Sequence, residues 1–249
     1  MTPLRLKVLA LCIGVLSHAL FVLAVGLMAH ALFYGFSQQF FQPHWSFPLL
    51  INLALIVQFP LLHSLLLRKG NGAAITVWLP QPIRADMRTT MYALVASIQL
   101  LAVFLLWQPL GSTVLSFSGV LFAIHVLLYG AAWVVLGVAI INGGAHVQTG
   151  YIGWSSVVRG VKPQYPGMPQ RGLFKVCRQP IYLGFFLVLI TGPYWTLDHL
   201  LFALVWGAYC YGAPYFKEQR FRQWFGNEFE EYQKSVPYFF PHLLWRRKR

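Results

Sequence analysis

Residues 8–33 read VLALCIGVLSHALFVLAVGLMAHALF, a run without one Asp, Glu, Lys or Arg. As a helix this run is about 39 Å long, which exceeds the roughly 30 Å hydrocarbon core of a bilayer. It is too long for the core of a signal peptide and lacks a clean small-residue cleavage site, so it reads as a retained membrane helix. Three further apolar runs follow at Pro48–Leu67, Thr89–Trp107 and Phe117–Ile141. Pro60 is expected to kink the first of these. Between Arg178 and Lys217 the chain is again poor in charge, and Thr191-Gly192-Pro193 interrupts it. That turn signal divides the segment into two short helices, Pro180–Ile190 and Leu197–Ala213. The expected fold is all-α: a polytopic integral membrane protein of about six transmembrane helices. The last two form a short hairpin, followed by an interfacial amphipathic helix at the carboxy terminus.

Composition agrees with a bilayer protein. Of 249 residues, 57% are hydrophobic and 10% charged, against roughly 25% charged in a typical soluble domain. The net charge of +13 would suit nucleic acid in a soluble chain, but the apolar fraction excludes that class. All 19 Lys and Arg fall before the first run, after the second, after the fourth or after the sixth. With six helices these four segments lie on one side. The positive-inside rule makes that side cytoplasmic and puts both termini there. The tail Trp245-Arg246-Arg247-Lys248-Arg249 reads as an anchor on anionic headgroups of the lipid bilayer. Cys12, Cys177 and Cys210 have neither zinc nor disulfide spacing, and no metal site is expected. The chain reads as one membrane domain over 1–249. Four transmembrane helices occupy 1–141; a cytoplasmic loop, the hairpin and the last helix occupy 142–249.

Polar chemistry gathers between Asn142 and Pro241. The stretch from Arg171 to Gly184 reads RGLFKVCRQPIYLG. Pro180 suits the first turn of a helix, with Gln179 just before it. The exposed amides of that helix start favour an anion. Arg178 adds a guanidinium that forks onto carboxylates. Tyr182 lies one turn on, and Gly184 leaves room for a ligand or another helix. The alternative is that Arg178 snorkels to headgroups while Tyr182 and Gly184 pack. A second cluster runs from Lys217 to Tyr232, where Phe221, Phe225, Phe229 and Tyr232 form an apolar stripe. Glu218 lies where the sixth helix leaves the membrane. An acid at that depth needs a partner, with Arg178 and Arg220 as candidates. Among eight histidines no pair has the spacing of two ligands on one helix face. His63 sits near the cytoplasmic end of the second helix, either as an interhelical hydrogen-bonding group or as a base.

These residues resemble a known signature. Gly172 to Gly184, then Glu218, Phe225-Gly226, Tyr232, Val236-Pro237 and Pro241, are similar to the isoprenylcysteine carboxyl methyltransferase and phospholipid methyltransferase superfamily. That signature is Gly-x-Tyr-x-x-x-Arg-His-Pro-x-Tyr-x-Gly, followed beyond a helical hairpin by Glu-Glu, Phe-Gly, a Tyr and a Val-Pro ending. Gln58 to Ser64 with Arg68, Arg88-Thr89-Thr90, Leu106 to Pro109, and Thr191 to Ala203 resemble the branch of bacterial methanethiol S-methyltransferases. Three positions depart from the signature. Gln179 replaces the His, Phe174 the Tyr, and Lys217 the first acid of the Glu-Glu pair.

The resemblance implies a bacterial inner-membrane enzyme that uses S-adenosylmethionine at the cytoplasmic face. Arg178 and the helix start at Gln179 and Pro180 would hold the donor's carboxylate. Tyr182 and Gly184 would line its pocket, and Glu218 would accept from its amino or ribose groups. The acceptor would be a small or lipophilic molecule such as a thiol arriving between helices, with His63 helping to deprotonate it. Two other functions remain in play: methylation of a prenylated carboxylate or a lipid amine, and a non-enzymatic role in assembling a respiratory or haem system. Transport is disfavoured because the helix interiors carry no acid.

Overall fold

The computed structural model describes residues 1–41, 44, 46–68 and 71–241. Lys69, His242 and the basic tail Trp245–Arg249 lie outside the described residues. The first helix, α1, spans Pro3–Phe33, with Thr2 as its cap and Pro3 in its first turn. It begins five residues before the apolar run and so takes in Arg5 and Lys7. α2 spans Pro48–Leu66 and passes through Pro60 unbroken. A 3₁₀ turn at Asn71–Thr76 and a short α3 (Gln81–Arg84) lead to α4, Arg88–Leu106. After a strand, β1 (Thr113–Ser116), comes α5, Gly119–Asn142. Helices α1, α2, α4 and α5 are long and apolar enough to cross a membrane. Their outer faces expose Val15, Leu23, Leu50, Leu127 and Val134, the surface a lipid chain would cover.

The hairpin forms as expected but is longer on its second arm. α8 spans Pro180–Ile190, and a second strand, β2 (Tyr194–Thr196), precedes α9, Leu197–Phe225. At 11 residues α8 covers about 16 Å, roughly half of the hydrocarbon core. α9 does not end at Ala213. It continues through Pro214 and carries Lys217 to Phe225 on the same rod. The interfacial helix expected over Lys217–Tyr232 is therefore divided. Gly226 at φ 50° breaks it, and only α10 (Asn227–Ser235) is a separate amphipathic helix. The segment 142–177 is also more ordered than a loop. It contains α6 (Ala145–Gln148), α7 (Tyr151–Arg159) and a 3₁₀ turn at Gly172–Lys175. α7 lies on α1 and α4, fastened by Thr90 Oγ1, which donates to the Gly150 carbonyl at 2.7 Å and accepts from the Trp154 amide at 2.9 Å.

Polar pairs lock the helices where hydrocarbon would leave polar groups unsatisfied. Between α2 and α4, Asn52 exchanges hydrogen bonds with the Gln108 backbone, and Gln58 and Gln99 bond each other. Phe36, Phe104, Trp107, Phe202 and Trp206 form the buried aromatic core between them and the hairpin. At the end away from Arg178, β1 and β2 pair antiparallel. There buried Asp198 accepts from Trp107 Nε1 and the Leu110 amide, both at 2.9 Å. Asp198→Ala would orphan both donors, and we expect a loss of about 2–4 kcal/mol, read as a lowered thermal midpoint in detergent. A smaller loss is expected for Asp198→Asn.

Candidate active site

The signature segment owes its path to backbone geometry. Gly172 adopts φ 58°, and a Cβ there would run into the Asn142 side chain at the end of α5. Asn142 Oδ1 accepts from the Leu173 amide at 2.9 Å, tying the segment to α5. Pro180 then opens α8, and the Arg178 amide donates to the Pro237 carbonyl at 2.9 Å. The turn therefore meets the carboxy-terminal segment as well.

Five side chains converge at this turn. Arg178 grips Glu218 through Nε at 2.8 Å and Nη2 at 3.3 Å, the partnership expected for that acid. Its Nη1 donates to the carbonyls of Gln233 at 3.1 Å and Val236 at 2.6 Å. Gln179, 2% exposed, does not cap α8; its Nε2 donates to Glu218 Oε1 at 2.8 Å. Lys217 Nζ donates to Gln179 Oε1 at 3.2 Å and lies 5.7 Å from the Phe174 ring centre and 5.2 Å from that of Phe221. Gln233 Nε2 reaches Glu218 Oε2 at 2.7 Å. Glu218 thus accepts four hydrogen bonds from three side chains. Burial pushes the Lys217 amine down to about 8. The three departures from the signature prove to be in one place: Lys217 bonds Gln179 and sits over Phe174.

An open cleft of about 370 Å³ borders this corner. Its walls include Arg178, Glu218, Tyr211, Tyr215, Arg222 and Tyr238. On α9 the residues 211, 215, 218 and 222 follow a spacing of four, three and four, which places them on one face. Tyr238 closes the opposite wall: its hydroxyl donates to the Tyr211 carbonyl at 2.7 Å, and its ring lies 5.6 Å from the Arg178 guanidinium carbon. α10 seals the base through Phe229, Tyr232 and Val236, with the Tyr232 hydroxyl bonding the Phe174 carbonyl.

Of the expected site residues, Arg178, Gln179, Pro180 and Glu218 share this corner. Tyr182 is half-buried on α8, packed against the aromatic core. Gly184 faces α5, where a Cβ would lie 2.8 Å from Leu136 Cα. His63 makes no hydrogen bond to the corner. Its ring lies 4.8 Å from those of Phe59 and Tyr92, its carbonyl accepts from the Tyr92 hydroxyl, and its Nδ1 is buried without a partner. Sequence reasoning missed Tyr211, Tyr215, Arg222, Gln233 and Tyr238. The face shared by 211, 215, 218 and 222 was the available signal for the first three. It becomes visible only when α9 is continued past Pro214.

The chain is similar to several bacterial enzymes. It is 28% identical over 200 residues to a methanethiol S-methyltransferase of Pseudomonas deceptionensis, covering 80% of this chain and 75% of that one. It is 30% identical over 199 residues to a methanethiol S-methyltransferase of Crocosphaera subtropica, covering 78% and 75%. A Mycobacterium tuberculosis enzyme of the same name is 27% identical over 199 residues, 77% of each chain. No protein-family model and no solved structure matches the chain.

Proposed function

Because the chain belongs to the methanethiol S-methyltransferase family, we propose that it transfers a methyl group from S-adenosylmethionine to methanethiol at the cytoplasmic face of a bacterial inner membrane. It is an integral membrane methyltransferase for a small thiol. The carrying observation is the Arg178–Gln179–Glu218 corner and the tyrosine-walled cleft beside it. The donor set suits such a cofactor: cations for its carboxylate and aromatic rings for its base, with Glu218, its acceptor positions filled, holding Arg178 in place. When bound, the sulfonium supplies an electrophilic methyl group.

The residues of this chain then have positioning work to do. Arg178 and the start of α8 at Pro180 hold the carboxylate end, using the Nη2 hydrogen that Glu218 leaves free. Gln179, held between Lys217 and Glu218, fixes the corner as a hydrogen-bonding rather than a proton-transferring group. Tyr182 separates the cleft from the membrane interior, where the thiol arrives between helices. Gly184 lets α8 lie close to α5, which sets the height of the corner. His63 accepts the thiol's proton. Alignment of donor and acceptor then accounts for much of the acceleration, since a well-placed pair reacts as one molecule.

The test is direct. Purified protein in vesicles, given methyl-labelled S-adenosylmethionine and methanethiol, should release labelled dimethyl sulfide into the headspace. Label appearing instead in prenylcysteine esters or methylated lipid amines would replace the substrate assignment. No transfer to any acceptor would remove the enzyme reading and leave the assembly role.

A further inference from the structure

Lys217 and Gln179 meet end to end in a way that constrains both. An ammonium only donates, and Lys217 Nζ donates to Gln179 Oε1 at 3.2 Å. A carboxylate only accepts, and Glu218 Oε1 takes the Gln179 Nε2 hydrogen at 2.8 Å. The buried amide between them therefore has one permitted orientation, oxygen toward Lys217 and nitrogen toward Glu218. The amine is held in turn from two elements. Phe221, one turn on along α9, lies 5.2 Å from Nζ, and Phe174, before α8, lies 5.7 Å from it. The relay ends on the guanidinium, because Glu218 Oε1 also accepts from Arg178 Nε at 2.8 Å. The way Gln179 is turned thus bears on where the fork of Arg178 stands.

We infer that Lys217 is a positioning residue for the methyl donor, acting through Gln179 on Glu218 and Arg178, and that Lys217 and Gln179 work as a matched pair. The inference rests on the methyltransferase reading above, in which Arg178 receives the donor's carboxylate. A cation at 217 and a carboxylate at 218 require a residue at 179 that accepts at one end and donates at the other, as an amide does. Two acids at 217 and 218 require one that donates at both ends, as an imidazolium does and an amide does not. The exchange of the signature's His for Gln179 and of its first acid for Lys217 is thus a single change of donor pattern. Changing one residue alone breaks it. Lys217→Glu sets a carboxylate against the Gln179 oxygen, and turning the amide over moves the same clash to Glu218. Gln179→His fits beside Lys217 only as a neutral ring, with one nitrogen accepting and the other donating. The titratable and charged groups around the pair are Cys177 and Arg178 before α8, Glu218 and Arg220 on α9, and Tyr232 of α10, whose hydroxyl bonds the Phe174 carbonyl.

The experiment titrates purified protein with S-adenosylmethionine by calorimetry between about pH 5.5 and 7.5, on either side of the ordinary imidazole value of about 6.5. Each variant is read relative to the wild type at the same pH. Lys217→Glu should weaken donor binding about 10-fold or more across the range. Adding Gln179→His to Lys217→Glu should recover most of that loss at the acid end, where the ring donates at both nitrogens, and lose it again as pH rises and the ring deprotonates. Gln179→His alone should show the opposite slope, weakest at the acid end, where a protonated ring faces Lys217, and improving as the ring becomes neutral. A purely structural role for either residue gives no such reversal. Should Lys217→Glu fail to fold, the slope of Gln179→His alone still decides, since a ring indifferent to Lys217 shows none. The same slope with and without Lys217→Glu, or a double variant as weak as the two single losses combined, overturns the pairing. Donor binding by the wild type in that case leaves the methyltransferase reading standing. A wild type that binds no donor overturns both.

Discussion

Arg178→Ala is expected to remove measurable S-adenosylmethionine binding and to release the carboxy-terminal segment from the hairpin. The guanidinium holds Glu218 twice and the backbone of Gln233 and Val236, so one side chain at the start of α8 clamps α9 and the end of α10. Its removal leaves the Glu218 carboxylate, 5% exposed, with amide donors only. Breaking a buried pair from one side costs about 3–5 kcal/mol. Calorimetry should find no donor binding, and limited proteolysis should cut between Gly226 and Pro237. Arg178→Lys keeps the charge but not the fork, so it should recover part of the fold and little of the affinity. Donor affinity unchanged in Arg178→Ala and in Glu218→Ala would remove both residues from the site.

The second large effect is steric. Gly184 lets α8 approach α5 so closely that a Cβ would lie 2.8 Å from Leu136 Cα and 3.0 Å from its Cβ. Both obstacles belong to the helix itself and cannot rotate away. Gly184→Ala should cost about 1–3 kcal/mol, and Gly184→Leu should force α8 off α5 altogether. The expected readings are a lower thermal midpoint in detergent for the first and failure to accumulate as a monodisperse protein for the second. Because α8 carries Pro180 and Tyr182, donor affinity should fall with the midpoint, while His63 and the α2–α4 pairs stay in place.

How much was legible follows from which interactions are local. The apolar runs give α1, α2, α4 and α5 to within a few residues, because a bilayer-length stretch without charge has few alternatives. Pro180 and Thr191-Gly192-Pro193 mark both ends of α8. The end expected at Ala213 was too early: α9 passes through Pro214 and carries Glu218 to Arg178. The corner was legible as a set of residues, from Arg178 to Pro180 with Glu218, but not as a network. That Lys217 bonds Gln179, and that Gln233 completes Glu218, depends on how α10 folds back, which no local pattern encodes. Gly184 was ambiguous between ligand and helix, and only the position of Leu136 shows what lies against it. The cleft's third tyrosine, Tyr238, comes from the irregular segment after α10, where periodicity carries no signal.

The central claim is that the Arg178–Glu218 corner and its cleft receive the methyl donor. An experimental structure of the protein with S-adenosylhomocysteine, the demethylated product, tests it most directly. The account predicts a nucleoside against Tyr211 and Tyr238, with the amino-acid end at Arg178 and the start of α8. Product density in any other place, with the Arg178–Glu218–Gln233 network intact and the cleft filled only by solvent, would contradict it.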